Sequence, residues 1–70
     1  MALTLRQWRR AKEITQHEMA DKLGIHVMTY QNWEKEPGKI SISNAVNIAN
    51  ILGLTVDDID FVKEDQEVTV

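Results

Sequence analysis

A chain of 70 residues, 43% apolar and 27% charged, has the balance of one small globular domain and lacks the charge excess that keeps chains unfolded. It holds no cysteine, which excludes disulfides and thiolate metal sites and leaves stability to packing and helix caps. The net charge of −3 is uneven: Met1 to Lys39 carries seven basic residues against five acidic, whereas the remainder sets Lys63 alone against six acids. The acidic balance argues against nucleic acid in general, but the basic half does not. Arg6, Arg9 and Arg10 stand where a signal peptide would carry its apolar stretch, and no run of about 18 apolar residues occurs. A cytoplasmic chain without a membrane span is expected.

In chain order, the start signals repeat. Thr4 with Gln7 forms a capping box, flanked by Leu3 and Trp8 as a hydrophobic staple, and predicts a helix over Thr4–Lys12. Thr15 with Glu18, stapled by Ile14 and Met19, starts a second at Gln16–Leu23, which Gly24 ends. A third helix over Val27–Lys35 is stapled by Ile25 and Tyr30 and capped by His26, a weaker cap than Ser or Thr. Ser41 opens a fourth at Ile42–Leu52, closed by Gly53, and Thr55 with Asp58 predicts a fifth over Val56–Phe61. No strand competes before residue 60. Leu5, Trp8, Met19, Ala20, Leu23, Tyr30, Trp33, Val46, Ala49 and Leu52 recur at helical spacing and form the expected inward stripes. The fold class is therefore all-α, a compact five-helix bundle over residues 1–61. Residues 62–70 form an acidic tail, in which the alternation of Glu67–Val70 also suits a short dimer-forming strand.

The second and third helices are joined only by Gly24-Ile25-His26, a connection too tight for antiparallel packing, so they cross steeply as a helix-turn-helix. Ala20 supplies the small residue that close crossing requires. Leu5-Arg6, Trp8-Arg9, Ile14-Thr15-Gln16, Met19-Ala20, Leu23-Gly24-Ile25, Tyr30, Trp33-Glu34, Ile48-Ala49 and Leu52-Gly53 together give a pattern that resembles the Cro and phage-repressor (XRE-like) helix-turn-helix family. The resemblance implies a lambda-repressor-like DNA-binding domain with its recognition helix starting near Val27. It also implies a structural ion pair between Arg9 and Glu34, and a phosphate contact at Gln16. His26, Val27 and Met28 depart from the polar residues usual at this helix start.

At about 100° per residue, Tyr30, Trp33 and Glu34 share one side of the third helix, and Met28, Asn32 and Lys35 point outward with Val27 and Gln31 beside them. Asn32 and Gln31 suit adenine edges, and Val27 and Met28 suit thymine methyls. Gln16, His26, Lys35, Lys39, Ser41 and Ser43 are the expected phosphate contacts. Helical spacing assigns Trp8, Tyr30 and Trp33 to the core rather than to base stacking. His17 and His26 lack companion ligands on a shared face, and Asp57-Asp58-Asp60 lacks the glycine and terminal glutamate of a calcium loop, so no metal is expected. With no catalytic constellation or cofactor motif either, the expected function is sequence-specific binding of double-stranded DNA by a Cro-like transcriptional regulator, a repressor acting as a homodimer. The alternative is a modulator or antitoxin that turns the Val27 and Met28 surface toward another regulator protein.

Overall fold

A computed structural model describes residues 2–61, and the expectations for the 62–70 tail lie outside them. The chain begins with a two-residue strand β1 (Leu3–Thr4), followed by α1 (Leu5–Ala11), α2 (Gln16–Leu23), α3 (Val27–Lys35), a 3-10 turn (Pro37–Lys39) and α4 (Ile42–Leu52). A second 3-10 turn (Val56–Asp58) and strand β2 (Ile59–Asp60) complete it.

Local chemistry accounts for the helix starts. The Thr4 and Thr15 hydroxyls accept the backbone N–H groups of Gln7 and Glu18, whose side chains accept the N–H groups of the threonines in return. Ser41 Oγ accepts from Asn44 N and opens α4. His26 occupies the cap of α3 without a side-chain bond. Gly24 ends α2 in the left-handed conformation at φ 71°, where its N–H and that of Ile25 return to the carbonyls of Asp21 and Ala20. Glu13 makes a comparable turn after α1 at φ 59°, with no glycine to signal it.

The described residues contain four α-helices rather than the five expected. Thr55 and Asp58 do interact, the Asp58 carboxylate accepting from the Thr55 N–H and hydroxyl, but they close only a single 3-10 turn. Beyond it the backbone becomes extended, and β2 pairs in parallel with β1 in the register Leu3↔Ile59 and Thr4↔Asp60. This corrects the expectation that no strand precedes residue 60. The partner strand lies at the other end of the described chain, so a local reading of residues 54–61 could not reveal it. Trp8 strengthens the closure by donating its indole N–H to the Asp58 carbonyl at 2.8 Å.

Leu5, Met19, Ala20, Tyr30, Ile48, Ala49, Leu52 and Ile59 form the buried core, with Trp8, Leu23 and Trp33 packed half-buried against it. Val46 does not belong to it. The inward side of α4 is occupied by Ala45, Ile48, Ala49 and Leu52, and Val46, one position round from Ala45, is 41% exposed.

Candidate nucleic-acid interface

The core side of α3 carries Tyr30 and Glu34, one helical turn apart and both buried. Glu34 is the centre of a network drawn from three helices. Arg9 of α1 donates its Nε to Glu34 Oε2 and its Nη2 to Oε1, and its Nη1 donates to the carbonyl of Ile14 at 2.8 Å. The Tyr30 hydroxyl donates to Oε2 at 2.6 Å, and Gln16 Nε2 of α2 donates to Oε1 at 3.0 Å. Arg6 brings a second guanidinium to 3.7 Å from Oε1. Burial alone pushes the Glu34 carboxyl up, but the hydrogen bonds from Arg9, Tyr30 and Gln16 and the charge of Arg9 outweigh it and hold the group below the usual carboxylate range. The Glu34 bond raises Arg9 against the opposing effect of desolvation, and burial first, then Glu34, raises the Tyr30 phenol. Arg9 and Glu34 thus join α1 to α3 inside the molecule.

Away from this side α3 is open. Met28 is 67% exposed, Asn32, Lys35 and Thr29 are also exposed, and no strand, helix or turn among the described residues covers them. Val27 and Gln31 are half-buried, Val27 because it packs against the core and Gln31 because its Nε2 donates to Gln16 Oε1 at 3.2 Å. Gln16 therefore has partners at both ends of its amide. His26 is exposed at the start of α3. Ser41 and Ser43 stand 3.4 Å apart, oxygen to oxygen, at the start of α4. Lys39 is held by Glu36 at 2.9 Å, a bond that raises its pKa.

The arrangement brings Arg9 and Glu34 together and gathers Gln16 and Gln31 beside them. It leaves Met28, Asn32 and Lys35 on one free surface. Sequence reasoning did not anticipate Arg6 and the Tyr30 hydroxyl as members of the Glu34 network. Tyr30 was legible as a neighbour of Glu34 from the i, i+4 spacing, whereas Arg6 was not, because its approach depends on how α1 lies on α3. His17, Asp21 and His26 border one shallow depression, yet no group of three His, Cys, Asp or Glu among the described residues is placed to hold a metal ion. Among the same residues, no helix is long and apolar enough to cross a membrane.

Two short helices joined through a left-handed glycine, the second with a packed side and an open side, define a helix-turn-helix domain. The chain belongs to the helix-turn-helix family, whose profile matches residues 5–59. It is 35% identical over 51 residues to the cryptic phage CTXphi transcriptional repressor RstR of Vibrio cholerae, which covers 73% of this chain and 46% of that protein. It is 38% identical over 53 residues to the uncharacterized HTH-type transcriptional regulator YqaE of Bacillus subtilis, covering 76% of this chain and 46% of that protein. The chain thus spans about half the length of the curated relatives it matches. No solved structure is a significant match.

Proposed function

We propose that this protein is a DNA-binding transcriptional regulator that inserts α3 into the major groove of double-stranded DNA and acts as a repressor. The observation that carries this reading is the open side of α3, with Met28, Asn32 and Lys35 exposed opposite a buried network that fixes the helix to the body. Support comes from family membership and from the repressor named among the relatives. In this reading Asn32 and Gln31 take adenine edges, and Met28 and the exposed part of Val27 touch thymine methyls. Lys35, His26 and Lys39, with the hydroxyls of Ser41 and Ser43, lie against phosphates. Gln16 contributes its remaining amide hydrogen to the same backbone. One helix reads only a few base pairs, so useful specificity calls for two copies on half-sites about 34 Å apart, hence a homodimer on DNA.

Selection from a randomised duplex library, followed by titration of the selected and a scrambled duplex across salt concentrations, tests the proposal. A preferred sequence with a steep negative log–log salt slope is expected. Equal, weak binding to both duplexes at every salt concentration rejects it in favour of a regulator that acts by binding another protein.

A further inference from the structure

The buried carboxylate of Glu34 gives direction to a chain of hydrogen bonds that ends beside the open surface of α3. A carboxylate opposite Arg9 has only acceptors to offer, so the Gln16 group that meets Glu34 Oε1 at 3.0 Å must be the NH2. That contact determines which way the Gln16 amide lies, with its carbonyl directed away from Glu34. The carbonyl in turn accepts from Gln31 at 3.2 Å, so Gln31 must also turn its NH2 inward. A glutamine without such restraint exchanges its donor and acceptor ends by a half-turn about its last torsion and accepts either kind of partner. Gln31 has lost that choice. Its carbonyl oxygen and one remaining N–H are what it can offer to an approaching group.

Resting on the reading of α3 as a major-groove helix, we propose that Gln16 is a positioning residue for base choice, transmitting the direction set by Glu34 so that Gln31 presents an outward acceptor. An outward carbonyl matches the exocyclic amine of adenine or cytosine and opposes the O6 of guanine and the O4 of thymine. Adenine is the full match, because its N7 also accepts the remaining Gln31 N–H. Discrimination then comes from repulsion of the wrong base as well as attraction of the right one. The residue doing the selecting is half-buried beside the open surface of α3, and the group that sets its polarity is a buried charge two hydrogen bonds away.

The test uses the full chain and the duplex selected by the wild type. Gln31→Ala first locates the base pair whose preference depends on Gln31, and all four base pairs are then placed there. Gln16→Leu is expected to reduce the preference for adenine at that position about tenfold while preferences elsewhere hold. A Gln16 that only contacts phosphate would lower all four affinities alike and keep their ratio, and that result overturns the proposal. So does a Gln31→Ala variant whose preferences are unchanged at every position. Side-chain amide order parameters of the free wild-type chain give a second readout that does not require any variant to fold. Gln31 is expected to be more restrained than the exposed Asn47, and equal mobility overturns the relay. A restrained Gln31 in a chain that selects no duplex rejects the DNA reading, and the base-choice role with it, while the hydrogen-bond chain stands.

Discussion

Arg9 and Glu34, 25 residues apart in the chain, meet side-on, the Nε and Nη2 of the guanidinium donating to different carboxylate oxygens at 2.5 and 3.3 Å. Their side chains are 10% and 0% exposed. The planar fork of arginine suits this two-point contact, and a lysine ammonium cannot reproduce it. Removing one partner strands the other charge in the interior, so Arg9→Ala is expected to cost about 3–5 kcal/mol. Arg9→Met combined with Glu34→Leu should cost much less than the two single changes added together. Urea denaturation of the four proteins in this cycle measures the coupling, and strict additivity would mean that the pair contributes nothing as a pair.

The same site predicts how stability follows pH. Glu34 is held below its ordinary value of 4.5, so its contribution is present above that value and is lost as pH falls through the lowered folded one. At the alkaline end the raised Tyr30 phenol contributes below its ordinary value of 10.0, and that contribution is lost as pH rises above it. Thermal unfolding as a function of pH should show a plateau bounded by these two limbs. A Tyr30→Phe chain whose alkaline limb matched that of the wild type would contradict the second assignment.

Backbone conformation makes opposite predictions at two turns. Gly24 sits at φ 71° and an added Cβ would meet nothing within 4 Å, so Gly24→Ala is expected to cost about 1 kcal/mol from left-handed strain alone. Glu13 adopts φ 59° with a side chain already in place. Glu13→Gly relieves strain of similar size but gives the unfolded chain about 0.4–1 kcal/mol of extra conformational freedom, leaving a net gain of up to about 0.6 kcal/mol. Denaturation midpoints of the two variants should shift in opposite directions. A loss of stability in Glu13→Gly would show that the Glu13 side chain matters more than its backbone.

Two exposed residues of α3 are expected to differ in what they contribute on DNA. Lys35→Ala should weaken binding to all duplexes alike and make the log–log salt slope shallower by about 0.9, the signature of one lost phosphate contact. Asn32→Ala should instead change the base preferred at one position and leave the salt slope nearly unaltered. Titration of a small duplex set at several salt concentrations separates them. An Asn32→Ala chain with unaltered preferences at every position would remove Asn32 from the base-reading set.

Much of this molecule is local and therefore legible in its sequence. The bounds of α2 and α4 coincide with those read from Thr15, Gly24, Ser41 and Gly53, because caps and left-handed ends are decided by residues within one helical turn, and those of α3 match the reading from Ile25, His26 and Tyr30. The spacing of Tyr30, Trp33 and Glu34 likewise marked one side of α3 as inward. The fate of residues 56–61 was decided elsewhere. Thr55 and Asp58 carry the signs of a helix start, but the hydrogen bonds made by β2 are to Leu3 and Thr4, and no pattern within residues 54–61 records a partner so distant.

The outward candidates divide along the same line. Periodicity identified Asn32 and Met28 as exposed, since the direction of a side chain on a regular helix follows from its position alone. Which way the Gln31 amide faces depended on assembly, because Gln16 meets Glu34 and Gln31 only when α2 folds against α3. Short-range backbone geometry and side-chain periodicity were thus determined by the sequence alone. The strand closure and the polarity of the buried network were decided only by tertiary packing, since hydrogen bonds between remote residues require that the elements carrying them have already met.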